Sequence, residues 1–364
     1  MKIVIAAWHL NDVNVGLGRY TRNLIEALGR VDRNNEYDIL MPVKASNFPS
    51  YPNVHYWFCR YPVFKRRFWE QFATMGVGRY DLLHFPYDSC IALKRGKFIV
   101  TIHDVKPLLY PKPKKHVNFY SLMKRLYLPR PFETIDHVIT VSDCSRNDIV
   151  KNLGVSEDRV TVIPQGVEPN IFMPLPTDVA QEQPEAPYVL CVAGADPTKN
   201  IQSLILAFSL LPEKLRHDHQ LMLVGDLKKQ DDLLRLVKEK GIETQTVFAG
   251  IVSDQQLVRY YQYAEVFVFP SLYEGFGLPV LEAMACGCPV VCSNTSSLPE
   301  VVGEAAMMVG PLDITALEYA MRQVLSDSTL RHRMREAGLQ RAKQFSWNQT
   351  ATRTVELYER VVGH

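Results

Sequence analysis

The sequence of 364 residues lacks any apolar run of about 18 residues, so no segment is long enough to cross a bilayer as a helix. It also lacks a disulfide framework, because its seven cysteines are odd in number and stand in apolar or helix-end contexts. No short tandem repeats appear, which argues against a repeat protein. The apolar start at 2–8 is too short for a signal peptide and is typical of a buried strand. Together these absences predict a cytoplasmic globular protein.

The net charge is also small, at only +2, but the charged residues are unevenly distributed. Residues 1–170 hold 24 Lys and Arg against 16 Asp and Glu, whereas residues 171–364 hold 17 against 23. The positive charge concentrates at 60–69, where it mixes with aromatics, and at 112–116. This pattern predicts peripheral contact with an anionic membrane, although a solvated basic face explains it equally well. Nucleic acid would suit the charge too, but we expect no nucleic acid partner.

The order of apolar segments predicts an α/β protein with two doubly wound, Rossmann-like domains. Strand-like runs alternate with helical patterns through 1–170, a proline-rich polar linker follows at 171–186, and the alternation restarts through 187–345. Such a restart predicts two parallel sheets with a ligand cleft between the domains. A last helix at about 347–361 is a candidate to pack back onto the first domain, so that 346–364 would complete it.

The most informative segment begins at Glu274 and contains two carboxylates around a glycine-rich turn into a helix. Pro279 suits the start of a helix, and Gly287 suits its exit. A helix that begins here directs free N–H groups and the positive end of its dipole at the loop, which predicts a diphosphate site. Glu282 falls in the first helical turn, close to a neighbouring ribose, and Glu274 precedes the loop, where it can hold a sugar hydroxyl. A capped helix with two solvated glutamates is the alternative.

Further candidates follow predicted strands, where ligands bind in open parallel sheets. Gly16 and Gly18 follow the first strand but lack the third small residue of the dinucleotide fingerprint, so they indicate a lid over a phosphate or sugar rather than a nicotinamide site. His103 ends a strand and is a candidate partner for a sugar hydroxyl. Lys199 precedes a helix, where it can neutralise a leaving phosphate. Val252 lies in a strand-to-helix loop whose backbone can pair with a base edge.

We expect no metal site. Cys286, Cys288 and Cys292 cluster, but no histidine lies nearby, and a helix end followed by a buried strand accounts for them. No Asp-x-Asp pair occurs in a suitable loop. The sequence therefore predicts a metal-independent site without a bound cofactor.

In nearly its whole length the chain resembles the retaining glycosyltransferases of family 4, which have the GT-B fold. Six ordered motifs carry the resemblance: Glu274–Glu282, Gly16–Leu24, Thr101–Asp104, Thr140–Asp143, Val162–Val167 and Ser293–Val301. The first of them is similar to the paired-glutamate motif of the family. The last, together with the Gly-Arg-Tyr-Thr start, is similar to members that make bacterial surface polysaccharides, including lipopolysaccharide.

The resemblance implies a role for each candidate residue. The implied catalytic residues are Lys199, which stabilises the departing β-phosphate, Glu274, which holds the sugar, and His103, which contacts the donor sugar near the reacting face. The implied donor-binding residues are Gly16, Gly18, Thr198, Val252, Gly275, Phe276, Gly277, Leu278 and Glu282, the last of which binds the ribose hydroxyls. One position departs from the family pattern, because Thr198 stands where an arginine is common beside the lysine.

The resemblance implies a hexosyltransferase that moves a sugar from a nucleoside-diphosphate donor to a glycan or lipid-diphosphate acceptor with retention at the anomeric carbon. Mannose from GDP-mannose is the favoured donor, and a UDP-hexose or dTDP-rhamnose is the alternative. Two further alternatives stay open: a sugar-nucleotide epimerase and a non-catalytic protein that binds nucleotide sugars. The predicted location is the cytoplasm, with the inner membrane face as the site of a peripheral contact.

Overall fold

A computed structural model describes residues 1–12, 16–43, 48–59, 66–89, 95–111, 134–175, 186–227 and 230–363, without the side chains of Arg67 and Phe68. Parts of the segments discussed above lie outside these ranges: 60–65 of the basic, aromatic stretch at 60–69, all of 112–116, and 176–185 of the linker at 171–186. The chain forms two compact units. Residues 1–166 and 346–364 form the first unit, and residues 167–345 form the second.

The first unit contains a parallel sheet in the order β3-β2-β1-β4-β5-β6-β7. Its strands are β1 (Lys2–Ala6), β2 (Glu36–Met41), β3 (Val54–Phe58), β4 (Leu82–Phe85), β5 (Lys97–Thr101), β6 (His137–Thr140) and β7 (Val160–Val162). Most of these strands are short apolar runs that are buried almost end to end, as expected where helices cover both faces of a parallel sheet. The strand order reverses between β1 and β4, which makes this the switch point where ligands bind in such sheets.

The helices of the first unit include the C-terminal helix of the chain. Within the described residues they are α1 (Gly16–Val31), α2 (Arg66–Met75), α3 (Lys106–Leu109), α4 (Asp143–Leu153) and α13 (Trp347–Val362). Helix α13 packs along α1, and it is tied to the strand ends by hydrogen bonds from Thr350 to the Pro164 carbonyl and from Arg353 to the Val162 carbonyl. The last helix therefore completes the first unit.

The second unit contains a parallel sheet in the order β10-β9-β8-β11-β12-β13. Its strands are β8 (Tyr188–Val192), β9 (Gln220–Val224), β10 (Thr246–Gly250), β11 (Val266–Phe269), β12 (Val290–Ser293) and β13 (Met307–Val309). Its helices are α5 (Ile201–Ser209), α6 (Glu213–Asp218), α7 (Asp231–Glu239), α8 (Asp254–Tyr263), α9 (Leu278–Ala285), α10 (Leu298–Val302), α11 (Ile314–Ser326) and α12 (Ser328–Ala342). The strand order reverses between β8 and β11.

The fold class predicted from the sequence, two doubly wound parallel sheets with Rossmann-like order, is confirmed. The apolar periodicity of the sequence does not mark strands β3 and β13 or helices α2, α3, α6, α10 and α11. β3 lies at the edge of its sheet, and most of its residues are not buried, so it lacks the apolar run that marks the central strands. Helix α2 begins at Arg66, inside the stretch that the sequence assigned to a basic, aromatic surface. Within the described residues, no helix is both long and apolar enough to span a membrane.

Candidate active site

Lys199 and Glu274 meet at the switch point of the second unit. Lys199 lies in a single 3-10 turn after β8, and Glu274 lies in the loop after β11, the strand next to β8. Lys199 Nζ lies 2.6 Å from Glu274 Oε1, and the two side chains are only 18% and 11% exposed. Two residues that are 75 positions apart thus form a sheltered ion pair, as the carboxyl-end argument predicts. A sheltered pair interacts more strongly than one in water, because less solvent screens it.

The loop that carries Lys199 is fixed by its neighbours. Asn200 has a φ of 54°, which is uncommon for a residue other than glycine. Its side-chain amide donates to the carbonyls of Pro270 and Pro311, at 3.0 and 2.6 Å. Ser203 donates in turn to Asn200 Oδ1 at 2.8 Å. These bonds attach the end of the turn to the segments after β11 and β13. They therefore fix the backbone position of Lys199, the residue before Asn200.

Thr198, predicted to bind the donor, directs its side chain into the protein. It is 3% exposed, and its hydroxyl donates to Asp196 Oδ1 at 2.8 Å. Its carbonyl accepts from the Leu272 N–H at 2.7 Å, which joins the two loops of the switch point. The position where the family commonly has an arginine is therefore occupied by a buried hydroxyl, and the cation that the structure places beside it is Lys199.

The glycine-rich loop leads into α9 as the sequence indicates, with a helix that begins one residue earlier than predicted. Leu278 is its first residue, Pro279 its second, and Gly277 precedes it with a φ of 105°. A Cβ at Gly277 would lie 2.6 Å from Leu298 Cδ2, so both the backbone and the space require glycine. At the other end Gly287 has a φ of 77°, which confirms it as the helix exit.

The side chain of Phe276 belongs to the core rather than to a ligand site. It is 5% exposed and its ring packs edge-on against Phe345, with centroids 5.9 Å apart. What the loop can present to an anion is therefore its backbone. Gly275, Phe276, Gly277 and Leu278 remain predicted donor contacts through their main chain, at the positive end of the α9 dipole.

Glu282 lies deeper in the helix than predicted. It is the fifth residue of α9, beyond the first turn, and it is 5% exposed. The Tyr261 hydroxyl, from α8, donates to Glu282 Oε2 at 3.3 Å. A buried carboxylate needs hydrogen-bond donors, and Tyr261 provides one of them. The ribose-binding role of Glu282 stays a prediction.

Val252 lies in a different loop of the same sheet edge. It follows β10, which is separated from β8 by β9, and it precedes the Ser253 capping box of α8. Ile251 beside it is 72% exposed. The capping box explains the polar residues of this loop structurally, and the base-edge contact at Val252 stays a prediction.

In the first unit, His103 follows β5 and has both ring nitrogens engaged. Its Nε2 lies 3.1 Å from the Pro86 carbonyl, which can only accept, so Nε2 carries the proton. Its Nδ1 faces the Gln165 amide at 3.5 Å. Burial lowers the pKa of His103 below its usual value, which favours the neutral ring. A neutral imidazole whose Nδ1 accepts only one long bond is suited to a sugar hydroxyl.

A second histidine supports this site from the core. His84, on β4, is fully buried; its Nδ1 lies 2.6 Å from the Tyr358 hydroxyl and its Nε2 lies 2.9 Å from Thr101 Oγ1. Burial lowers the pKa of His84 to about 3. Tyr20 contacts Thr101 through its hydroxyl and packs edge-on against His103, with ring centroids 4.5 Å apart. The network therefore connects the C-terminal helix to the neighbours of His103.

The two glycines of the first loop differ in what the structure requires of them. A Cβ at Gly18 would lie 2.1 Å from the Asp12 carbonyl oxygen and 2.7 Å from that of His9, so Gly18 allows α1 to approach the loop after β1. Nothing lies within 4 Å of a Cβ at Gly16. The predicted lid function of both stays a prediction, and only Gly18 also has a packing reason.

The sequence reasoning missed a polar cluster at the switch point of the first unit. Arg66 Nη1 lies 3.2 Å from His9 Nε2, and Arg66 Nε lies 3.3 Å from Glu70 Oε1. Arg66 also pairs with Asp88, and Ser89 donates to Glu70. Burial raises the pKa of Glu70 to about 7. The sequence signal that could have indicated this cluster is the position of His9 after β1 and of Asp88 after β4.

The three clustered cysteines are core residues. Cys286, Cys288 and Cys292 are at most 2% exposed, and burial raises the pKa of each thiol. They therefore remain protonated, unlike metal ligands. Among the residues that the structure describes, no group of three or more His, Cys, Asp or Glu side chains is arranged to hold a metal ion.

The two Rossmann-like units have the architecture of GT-B glycosyltransferases, and the second has a Lys–Glu pair and a glycine-rich helix N-terminus at its switch point. Comparison with known proteins agrees. The model of Glycosyltransferase Family 4 matches residues 15–171, and that of Glycosyl transferases group 1 matches residues 177–341.

The chain belongs to glycosyltransferase family 4 and is a hexosyltransferase that uses a nucleotide-sugar donor and a glycan or lipid-linked acceptor. It is 36% identical to the O-antigen chain mannosyltransferase B of Escherichia coli, over 99% of this chain and all of that protein. It is 33% identical to the MMP alpha-(1->4)-mannosyltransferase of Mycolicibacterium hassiacum, over 70% of this chain and 60% of that one. The solved sucrose-phosphate synthase of Thermosynechococcus elongatus has the same fold, with a TM-score of 0.74 and 22% identity over 100% of this chain and 99% of that one.

Proposed function

We propose that this protein transfers mannose from GDP-mannose, with retention at the anomeric carbon, to a growing polysaccharide on a lipid-diphosphate carrier. The observation that carries the proposal is the sheltered Lys199–Glu274 pair in front of the glycine-rich N-terminus of α9. Glu274 lies on the loop that leads into α9, so the Lys199 cation pairs with the same segment that provides the loop amides and the helix dipole, which suits the diphosphate of a nucleotide sugar. The names of the two mannosyltransferase relatives support mannose as the sugar.

In the proposed reaction, the bond between the anomeric carbon and the β-phosphate oxygen breaks while the acceptor oxygen bonds to that carbon from the same face. The acceptor proton passes to the departing phosphate, so no protein base is required. Lys199 neutralises the charge that develops on the phosphate, and Glu274 keeps the Lys199 ammonium in place and accepts from a sugar hydroxyl. The protein then contributes mainly position and electrostatic stabilisation, and the reaction needs no metal ion.

A thermal-shift panel tests the donor. Thermal unfolding is measured with GDP, UDP, dTDP and ADP, each without metal and with Mg²⁺. A ligand at a hundred times its dissociation constant adds about 2.7 kcal/mol of stability, enough to shift melting by a few degrees. The proposal expects the largest shift with GDP and no requirement for Mg²⁺. A preference for UDP or dTDP would replace the donor, and no shift with any of the four would contradict the nucleotide-sugar site.

Product stereochemistry tests retention. The α-linked donor is incubated with a synthetic lipid-diphosphate disaccharide, and the new linkage is assigned by NMR. The proposal expects an α-linkage. A β-linkage would show an inverting enzyme and would remove the phosphate-as-base mechanism.

Peripheral membrane contact through the first unit is also part of the proposal. It is supported by Trp57 on β3 and by Phe72 and Met75 on α2, which are 55%, 45% and 50% exposed. These elements flank residues 60–65, which are rich in cations and aromatics in the sequence.

Flotation with anionic vesicles at low salt should recover the protein, and Phe72→Ser should lower the bound fraction. Leu312→Ser, which removes a 72% exposed leucine from the second unit, is the matched control and should have no effect. Equal flotation of all three proteins, or of none, would contradict a membrane surface at β3 and α2.

A further inference from the structure

Two adjacent serines, Ser296 and Ser297, lie between β12 and α10 and hold the glycine-rich loop that precedes α9. We infer that they are positioning residues, which shape residues 274–277 so that the loop backbone faces the donor diphosphate. The inference rests on the proposed function, because it assigns the loop to that diphosphate.

Ser297 fixes two peptide planes of the loop. It is fully buried, and its hydroxyl lies 2.9 Å from the Glu274 carbonyl and 2.8 Å from the Phe276 carbonyl, so its single proton is shared between them. In a trans peptide the C=O and the following N–H point in opposite directions. The bond to Phe276 therefore turns the Gly277 N–H away from Ser297, at the N-terminal end of α9.

Ser296 holds the other side of Glu274. Its Oγ accepts from the Glu274 N–H at 3.0 Å. Its φ is 53°, in the left-handed region, where a residue other than glycine is strained. Glycine would adopt this backbone without strain, so what serine adds at this position is its hydroxyl.

Together the two serines fix the backbone of Glu274 at both its N–H and its C=O. The carboxylate of the same residue lies 2.6 Å from Lys199 Nζ. A shift of this backbone would therefore displace the ion pair and the Gly277 amide at the same time. The serines act through these groups, because neither hydroxyl is assigned to the substrate.

The test compares Ser297→Ala and Ser296→Gly with wild-type protein in calorimetric titrations with GDP, UDP and the corresponding monophosphates. Each variant should weaken binding of the preferred diphosphate about tenfold, because each loses a bond that orients the loop. The monophosphate should change less than twofold. Ser209→Ala removes a serine hydroxyl that donates to the Leu206 carbonyl on α5, and as the matched control it should bind like wild type. Diphosphate affinity within twofold of wild type in both variants would overturn the inference.

Two further measurements separate positioning from a folding defect. Ser296→Gly relieves the backbone strain, so its melting temperature should equal or exceed that of wild type while its affinity falls. Ser297→Thr keeps the hydroxyl and should bind the diphosphate within threefold of wild type. A loss of affinity that simply follows melting temperature across the variants would contradict a positioning role.

Failure of the inference can be told apart from failure of the proposed function. If wild-type protein binds no nucleoside diphosphate, the proposed function is wrong, and hydrogen exchange then decides the inference without a ligand. Exchange in a peptide that spans 270–281 should be at least tenfold faster in Ser297→Ala than in wild type. Unchanged exchange there would show that Ser297 does not hold the loop.

Discussion

The two units share one strand order around their switch points, but their predicted site residues differ in charge. In the second unit, Lys199 and Glu274 form a sheltered ion pair in front of a helix N-terminus. In the first unit, burial favours the neutral forms of His84 and His103, and hydrogen bonds engage both nitrogens of each ring. The predicted site residues of the second unit therefore form a charged pair and that of the first unit is a neutral imidazole, although Arg66 and Asp88 also pair at the first switch point.

We interpret the difference as a division of the proposed transfer reaction between the two sets of residues. A leaving diphosphate needs charge that is already in place, since reorganising solvent around it would cost free energy. A sugar hydroxyl needs a donor or acceptor without net charge, whose protonation does not change near neutral pH. The predictions below test this division, beginning with the largest expected effect.

Removal of the cation in the second unit should have the largest effect. Lys199→Ala should lower kcat by about 10²–10³, because it removes the charge proposed to stabilise the leaving phosphate. Lys199→Arg keeps the charge and should recover part of the rate. Lys214→Ala, at an exposed position of α6, is the matched control. Turnover of Lys199→Ala within threefold of wild type would contradict the leaving-group assignment.

The buried histidines should make the first unit less stable in acid, an effect that has no counterpart in the second unit. Glu70 partly offsets it, because its raised pKa of about 7 lets the folded chain bind a proton that the unfolded chain binds only at lower pH. His84 has a folded pKa of about 3, and the folded pKa values of His9, His103 and His137 are also lowered, chiefly by burial. Below about pH 6.5 the unfolded chain binds protons that these folded rings do not, so stability falls as the pH falls towards the folded values. A buried ring such as His84 contributes a slope of up to about 1.4 kcal/mol per pH unit.

His219 in the second unit has the opposite sign. Its Nε2 lies 3.0 Å from Glu265 Oε2, and its pKa is raised, although burial alone would lower it. Its contribution is therefore complete below about pH 6.5 and is lost as the pH rises through the folded value. Hydrogen exchange at pH 7.5 and pH 5 measures both units in one sample. Equal loss of protection in the two sheets at pH 5 would contradict this difference.

Much of both sites could be predicted from the sequence, because strand ends and glycine spacing are local signals. Lys199 is predicted from its position after an apolar strand and Glu274 from the glycine-rich turn that follows it, and the sheet order then explains why they meet. The serine pair could not be found this way. Its role depends on a contact across 22 positions between Ser296 Oγ and the Glu274 N–H. It also depends on the positive φ of Ser296, which the residue type does not predict. Similarly, the depth of Glu282 follows from its packing against α8, which periodicity does not reveal.

The imidazole of the first unit should contribute less to the rate than the cation of the second. His103→Phe should lower kcat/KM about tenfold, the range of one neutral hydrogen bond. His103→Gln, which can still donate to the Pro86 carbonyl, should lose less. Because the pKa of His103 is lowered, kcat/KM should show no loss from this group between pH 8 and 6.5. A wild-type loss over this range that disappears in His103→Gln would show that the ring titrates and is not held neutral.

The smallest effects should come from two matched Tyr→Phe changes, one in each unit. Tyr358→Phe leaves the buried His84 Nδ1 without its 2.6 Å partner, which should lower the free energy of unfolding by about 1–3 kcal/mol. Tyr261→Phe removes one donor, at 3.3 Å, from the Glu282 carboxylate and should cost about 1 kcal/mol. Urea unfolding measures both changes.

Nucleotide affinity should change more in Tyr261→Phe than in Tyr358→Phe, which is the reverse of the order expected for stability. Tyr358→Phe alters a network of the first unit, so GDP should bind to it as to wild type. Tyr261→Phe removes one hydrogen-bond donor from the carboxylate that is predicted to hold the ribose, so GDP affinity should change by about twofold to fivefold, while an effect on unfolding stays small. If Tyr358→Phe instead weakened GDP binding and Tyr261→Phe left it unchanged, the nucleotide would depend on the first unit, and the division of charge between the two sheets would not describe the reaction.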